Sequence, residues 1–166
     1  MTAALPGCVV ADAGPLIALA RIGRLGILHD LFGRVLVPPA VFAELCIGSS
    51  RPGAAALAAA SSQGWLVETA TARVPLRLQR LLDRGEAEAI VLAQRTGALL
   101  VIDEATGRRA ARHEHVHIIG TGAVLIAAKR RGLIADMAPL LEALLTAGYR
   151  LSAGLQHGIL AQAGEE

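Results

Sequence analysis

Two aspartates follow short apolar runs that have the character of buried strands. Asp12 ends the run Val-Val-Ala-Asp, and Asp103 ends Leu-Leu-Val-Ile-Asp. Because ligands of open α/β sheets bind beyond the carboxyl ends of the strands, we expect both carboxylates in one cleft. Converging carboxylates repel one another and need a cation, and hard oxygen ligands suit Mg²⁺ or Mn²⁺. The pattern therefore indicates a metal site that activates water and stabilises charge on a phosphodiester.

Two glutamates on predicted helices extend this acidic set. Glu44 lies within a predicted helix at 40–46, and Glu86 begins another at 86–95. Helical periodicity turns Glu86 toward an apolar face and Glu88 toward water. Each acid taken singly is better explained as a turn former, a helix cap or a partner of the helix dipole. The joint pattern, rather than any one acid, favours a metal site.

The elements that must position these acids alternate between strands and helices. Strands are expected at 8–11, 35–37, 65–68, 98–102 and 116–119. Helices are expected at 16–31 (as two short helices), 40–46, 54–61, 76–82, 86–95, 106–113 and 123–131. The alternation predicts an α/β fold with a mostly parallel central sheet and helices on both faces.

The rest of the chain is expected to be a helical tail at 137–163, broken near Gly148 and Gly154. No repeat or low-complexity linker divides the chain, so we expect a single domain over 1–166. Its core covers about 8–135, and its helical C-terminal part covers about 136–166.

Composition limits the classes of partner. Hydrophobic residues make up 54% of the chain and charged residues only 18%, so apolar surface remains for a protein partner or a second copy. The net charge of +2 excludes no partner class, because the distribution of charge matters more than its sum. The first seven residues lack the basic segment of a signal peptide, and charges interrupt every apolar run. We therefore expect a cytoplasmic protein without membrane segments.

Several spaced segments resemble PIN-like nucleases. They resemble most closely a prokaryotic toxin-type subfamily catalogued mainly as a domain of unknown function. The resemblance covers about residues 9–152 and is carried by ADAGPLIALARIGRLGILHDLFGRVLVPPAVFAEL, LDRGEAEAIVLA, LLVIDEATGRRAA, IIGTGAVLIAAKRRGLI and LLTAGYRLS. It implies a three-layer PIN-like fold, with a parallel sheet flanked by helices. It also implies metal-dependent cleavage of RNA, often by the toxin of a toxin–antitoxin pair.

The resemblance also implies which residues form the site. The catalytic acids that hold Mg²⁺ or Mn²⁺ fall, by position, on Asp12, Glu44, Glu86 and Asp103, with Glu88 and Glu104 as further acidic candidates. A departure occurs at Gly14, because many PIN nucleases have Ser or Thr two residues after the first acid. The expected partners are an RNA substrate, a cognate antitoxin protein and a second copy of the chain.

Three arginines and a threonine after Asp103 are candidates for contact with RNA. The candidates for RNA contact are Arg108, Arg109, Arg112 and Thr121. A solvated helix face, with Arg108 paired to Glu104, explains the arginines equally well.

Alternating histidines after the same helix, His113, His115 and His117, resemble a zinc site. Because His113 falls at the end of the predicted helix, we expect a surface cluster instead.

Two other functions are consistent with the same acids. The first is a non-catalytic PIN-like scaffold that acts through protein contacts, which Gly14 and the apolar composition favour. The second is a phosphoacceptor or phosphatase domain, which also places an Asp after its first strand. Against the second, the sequence lacks a DxDGT pattern, and Lys129 is its only lysine.

Overall fold

A five-stranded parallel sheet organises the chain. In the computed structural model, which describes residues 7–165, the strands are β1 (Cys8–Ala11), β2 (Arg34–Val37), β3 (Leu66–Glu68), β4 (Leu99–Val101) and β5 (Ile118–Ile119). The order across the sheet is β3-β2-β1-β4-β5, and every neighbouring pair is parallel. The predicted parallel sheet is confirmed. The inference that no signal peptide is present rests on the first residues, of which 1–6 lie outside the described range.

The central strand is β1, and its composition explains its position. Val9, Val10 and Ala11 are fully buried, as expected for a strand covered on both faces. From β1 the chain adds β2 and β3 on one side and then β4 and β5 on the other. The order of strands therefore reverses between β1 and β4. Such a reversal opens a crevice at the carboxyl ends of these two strands.

Helices flank this sheet, as predicted. In the described range they are α1 (Ala13–Arg21), α2 (Gly26–Phe32), α3 (Pro39–Glu44), α4 (Ala54–Ser62), α5 (Leu76–Leu81), α6 (Arg84–Thr96), α7 (Ala105–His113), α8 (Thr121–Arg130), α9 (Met137–Thr146) and α10 (Ala153–Gln162). Helix α6 packs on β1, β4 and α3, whereas α8 packs on α2, α9 and α10. Buried side chains from these helices, among them Phe32, Leu57 and Leu125, form one core with the strands. None of the helices between residues 7 and 165 has the length and apolar character needed to cross a bilayer.

Several element boundaries differ from the prediction for local reasons. Helix α6 begins two residues early, because Asp83 caps it by accepting a hydrogen bond from the Glu86 amide. The tail breaks at Gly148, whose φ of 95° lies in the left-handed region. The same break ends at Ser152, which caps α10, so Gly154 lies in the first turn of that helix.

Candidate active site

Asp12 and Asp103 lie at the carboxyl ends of the two central strands. Ala11 of β1 pairs with Val101 of β4, and the Asp12 amide donates to the Val101 carbonyl at 2.9 Å. Asp12 therefore follows β1 directly, and Asp103 follows β4 after Ile102. Asp12 is only 9% exposed, and its side chain makes no capping hydrogen bond although it occupies the N-cap of α1. Helix capping therefore does not account for this buried carboxyl group.

The start of α6 adds two carboxylates. Asp83 is the N-cap of this helix, and its Oδ1 accepts from the Glu86 amide at 2.8 Å. Glu86 is half-buried and faces the start of α7, because its Oε2 lies 3.2 Å from the position that a Cβ on Gly107 would occupy. Asp83 was not among the residues predicted for the site. The available signal was its Asp-x-x-Glu spacing to Glu86, which resembles a capping box.

Glu44 reaches the same region from the end of α3. Because α3 packs against α6, the carboxylate of Glu44 occupies the space into which a side chain at Gly85 would project. A glycine at this position therefore permits the close approach. Partial burial raises the pKa of Glu44, and the charge of Asp83 raises it further. Glu44 and Asp83 are thus electrostatic neighbours.

These five residues form what we call the acid cluster: Asp12, Glu44, Asp83, Glu86 and Asp103. Burial and, after it, the charges of the neighbouring acids together raise the pKa of Asp12 to about 6. Burial, the charge of Asp83 and a hydrogen bond to Asp83 together raise the pKa of Glu86 to about 8. The cluster therefore holds more negative charge than it can stabilise alone, and a bound cation would offset that charge.

Asp103 is held in place by residues that follow β5. Its Oδ1 accepts from the Thr121 amide at 2.8 Å, and its Oδ2 accepts from the Thr121 hydroxyl at 2.7 Å. The Tyr149 hydroxyl lies beside both side chains, and burial followed by the charge of Asp103 raises the pKa of this phenol. Thr121 is completely buried, so its predicted contact with RNA is wrong. Its hydroxyl positions a carboxylate instead.

The charged residues of α7 lie at the rim of the cluster. Arg108 Nη1 donates to the Ile102 carbonyl at 2.9 Å, so this side chain is directed to the end of β4. Arg109 and Arg112 are exposed on the same helix. Glu104 is also exposed, and its charge contributes to the raised pKa of Glu86. No ion pair between Arg108 and Glu104 occurs in the described part of the chain.

Glu88 departs from the prediction. It is only 5% exposed, whereas periodicity predicted that it faces water. Its Oε1 accepts from the Ala40 amide at 3.4 Å, and its Oε2 accepts from Arg84 Nε at 3.0 Å. The prediction failed because the start of α3 covers this face of α6 as well. Residues two apart on a helix point in nearly opposite directions, so Glu88 faces away from Glu86.

The residues behind two alternative interpretations lie apart from the cluster. His113 ends α7, and it is exposed together with His115 and His117, in agreement with a surface cluster rather than a zinc site. Lys129 lies at the opposite end of α8 from Thr121. Its ammonium group pairs with Glu165 at 2.6 Å, so it does not serve the phosphoacceptor interpretation.

The donor set of the acid cluster fits a hydrated divalent cation. Among residues 7–165, no three His, Cys, Asp or Glu side chains stand close enough to form a ready-made cage. Mg²⁺ does not need one, because it keeps several waters and is usually held by one or two carboxylates. Asp12 and Asp103 offer that number at the crevice. The full four-acid ligand set of Asp12, Glu44, Glu86 and Asp103 stays a prediction.

A family model described as "DUF3368: PIN domain" matches residues 8–165. A solved PilT N-terminus domain protein from the archaeon Sulfolobus solfataricus has a similar fold, with a TM-score of 0.53 and 15% sequence identity. The similarity covers 73% of this chain and 92% of the archaeal one, and at this identity it concerns the fold alone. The comparison with curated proteins found no match. The chain belongs to the PIN-domain family, whose members are generally nucleases that use divalent metal ions.

Proposed function

We propose that this protein is a metal-dependent ribonuclease that hydrolyses RNA phosphodiester bonds. The observation that carries the proposal is the acid cluster at the crevice, where the pKa values of Asp12 and Glu86 are raised to about 6 and about 8. Perturbed carboxyl groups at a switch point are typical of functional sites. Asp12 and Asp103 would hold a Mg²⁺ or Mn²⁺ ion, which would supply acidification of water and stabilisation of charge on the phosphodiester.

The residues of the cluster have different roles in this proposal. Asp12 and Asp103 hold the cation, because they lie at the ends of the two central strands. Thr121 orients Asp103 through two hydrogen bonds. Glu86 holds a proton at neutral pH in the metal-free protein, because its pKa is about 8, and releases it when a cation offsets the neighbouring charges.

A groove beside Asp103 offers the RNA strand a path. Its volume is about 770 Å³, and its walls include Arg108, Tyr149 and Arg150. We propose that the guanidinium groups contact RNA phosphates, with Arg109 and Arg112 extending the contact along α7. The C-terminal segment after α9 would thereby contribute to RNA binding as well as to the position of Asp103.

Gly14 is compatible with this activity. It is exposed, and a Cβ placed on it would meet nothing within 4 Å. Where many PIN nucleases carry a hydroxyl, this chain therefore has open space two residues after Asp12. We propose that this space would admit a water molecule in place of the hydroxyl.

We also propose that the protein acts in the cytoplasm as the toxin of a toxin–antitoxin pair and binds an antitoxin protein and a second copy of itself. Leu76 and Leu81 of α5 support protein contacts, because they are 58% and 63% exposed. The same leucines favour the alternative function, a non-catalytic scaffold. Cleavage activity distinguishes the two functions.

The decisive experiment is RNA cleavage by the purified protein with and without Mn²⁺. We expect cleavage only with the metal, and loss of cleavage in Asp12→Asn. Asp136→Asn is a matched control, because Asp136 is exposed and makes no capping hydrogen bond at α9. Activity that survives in Asp12→Asn would reject the site. Complete inactivity of folded wild-type protein on diverse RNAs would favour the scaffold.

Expression in a host cell tests the toxin role separately. We expect wild-type protein to arrest growth and Asp12→Asn to relieve the arrest. Harmless accumulation of soluble wild-type protein would argue against a toxin even if the protein cleaves RNA in solution.

A further inference from the structure

A second pocket opens on the side of α6 that faces away from the acid cluster. Its volume is about 660 Å³, and it is bounded by the loop 70–74 after β3, the end of α5, and Arg84 and Glu88 of α6. Asp83 and Glu86 contribute to the acid cluster, whereas Arg84 and Glu88, one turn apart, line this pocket. The first turn of α6 is therefore the wall between two polar sites.

The carboxylate of Glu88 has unused capacity to accept hydrogen bonds. Glu88 is 5% exposed, yet one of its partners, the Ala40 amide, lies 3.4 Å away. Its other partner, Arg84, is itself 86% exposed and therefore largely hydrated. An ionised carboxylate offers about four acceptor positions, so about two remain for a group inside the pocket. Burial of a charged group whose hydrogen bonds are incomplete costs free energy, and a further partner in the pocket would reduce that cost.

Thr71 gives a second, independent indication of a ligand. Its hydroxyl oxygen is buried and has no hydrogen-bond partner among residues 7–165. The residue lines the same pocket as Glu88. Buried hydroxyl groups are normally paired, so an unpaired one at a pocket wall is explained by a group that enters the pocket.

Charge and shape restrict the chemistry of that group. Arg73 and Arg84 together with Glu88 give the pocket a net positive charge, which disfavours a cationic ligand and favours one with an anionic group. Glu88 can accept N–H donors from the same ligand at its remaining acceptor positions. Leu82 and Val74 add apolar wall, which suits a flat ring. A nucleotide combines an anionic phosphate, a flat base and N–H donors.

Guanine is the base whose edge matches a carboxylate. Its N1–H and its exocyclic amino group are adjacent donors, so both can point to the oxygens of one carboxylate. Adenine and cytosine place an acceptor beside a single amino group, and uracil offers one N–H. We propose that this pocket binds a guanine nucleotide, with Glu88 accepting from the base, Thr71 hydrogen-bonded to the ligand and Arg73 at the phosphate.

The nucleotide has two potential sources, a guanosine within an RNA strand or a free guanine nucleotide. The pocket lies at the same carboxyl edge of the sheet as the acid cluster, beyond β2 and β3. A strand that crosses the cluster can therefore reach it. Binding itself does not depend on the cleavage activity proposed above; only the RNA source does.

The test is calorimetric titration of the full chain, without divalent metal, with guanosine, inosine and adenosine monophosphates. Inosine lacks the exocyclic amino group, so we expect its nucleotide to bind about tenfold or more weakly than the guanine nucleotide. Equal affinity for all three nucleotides, or no binding of any, overturns the proposal.

Variants place the binding in this pocket. Thr71→Val removes a hydroxyl that has no partner among residues 7–165, so we expect a folded protein with about tenfold weaker binding of guanosine monophosphate. Glu88→Gln should abolish the preference for guanosine monophosphate over inosine monophosphate. If Glu88→Gln does not fold, the binding measured for Thr71→Val decides whether the proposal holds. Thr146→Val and Glu142→Gln, both exposed on α9, are matched controls that should bind as wild type. Wild-type affinity in folded Thr71→Val overturns the proposal.

Short RNA competitors in the same metal-free buffer identify the source of the nucleotide. Displacement of guanosine monophosphate by a pentanucleotide with one guanine, but not by one without guanine, supports the RNA source. No displacement by either supports a free nucleotide. Because no metal is present, a protein that fails to cleave RNA can still pass this test, and an active nuclease can still fail it.

Discussion

The hydroxyl of Thr121 offers a test of how the Asp103 carboxylate is held. Thr121 is fully buried, and its hydroxyl donates to Asp103 Oδ2 at 2.7 Å while its amide donates to Oδ1 at 2.8 Å. Thr121→Val preserves the shape of the side chain and the amide bond and removes the hydroxyl alone. The valine methyl group replaces the hydroxyl against Asp103, so the carboxylate loses one of its two donors from Thr121.

The expected magnitude follows from the type of bond. A hydrogen bond to a charged group contributes about 1.5–3 kcal/mol to the free energy of unfolding, and a distance of 2.7 Å is typical of a strong one. The Tyr149 hydroxyl lies beside Asp103 and can turn toward the freed oxygen, so we expect the lower half of this range. For a chain of this length, a loss of about 1.5–2 kcal/mol lowers the unfolding temperature by about 3–8 °C.

Two measurements test this reasoning. Thermal unfolding in EDTA should show the lower melting temperature in Thr121→Val, and calorimetry should show Mn²⁺ affinity reduced by about 10–100-fold, as for other residues that orient a metal ligand. Thr121→Ser retains the hydroxyl and should bind Mn²⁺ with near wild-type affinity. Thr106→Val, at an exposed position of α7, should match wild type in both measurements. Wild-type stability and Mn²⁺ affinity in Thr121→Val would show that the hydroxyl does not position Asp103.

Four further predictions concern the charges of the acid cluster and the glycines near it. Because the folded protein raises the pKa of Asp12 from 3.8 to about 6 and that of Glu86 from 4.5 to about 8, protonation of these groups favours folding. Their contribution to stability is therefore fully present below a pH of about 4 and is lost as the pH rises from about 4 to about 8. The melting temperature in EDTA should fall over this range, and a constant or rising melting temperature would contradict the prediction. Mn²⁺ should raise the melting temperature more at pH 8 than at pH 5. Asp12→Asn should reduce this rise without destabilising the metal-free protein. If the variant responds to Mn²⁺ as the wild type does, Asp12 is not a metal ligand. Gly14→Ala should stabilise the fold by about 0.4–1 kcal/mol in chemical denaturation, because a Cβ there meets nothing within 4 Å. Gly85→Ala should instead displace the carboxylate of Glu44 and weaken Mn²⁺ binding in calorimetry, and unchanged affinity would show that Glu44 does not contribute to the metal site.

The sheet and the pair of aspartates at its centre could be predicted because both depend on local sequence. Val9 and Val10 identify a buried strand by their composition, and the alternation of strands and helices indicates a parallel sheet. In such a sheet the residue after a strand lies at the carboxyl edge regardless of other contacts. Asp12 and Asp103 therefore followed from pattern alone.

Residues whose role depends on a distant partner could not be assigned in this way. Asp83 looks like a helix cap in the sequence, and it is one. Only the fold shows that the same carboxylate also neighbours Asp12, Glu44 and Glu86, because α3 and β1 approach the start of α6. Thr121 was open to misinterpretation for the same reason, since its hydrogen bond to Asp103 joins residues 18 positions apart.

The error at Glu88 has a more general physical cause. A hydrophobic periodicity identifies one apolar face of a helix, and it assigns the opposite face to water. Helix α6 does not meet this assumption at its first turns, because α3 covers one side and the sheet covers the other. Two glutamates that point in nearly opposite directions are then both withdrawn from bulk water, Glu86 into the acid cluster and Glu88 against the Ala40 amide. The start of a helix with polar groups on two sides can contribute to two sites at once. The metal-binding experiments test the face of α6 that carries Glu86, and the nucleotide titrations test the face that carries Glu88.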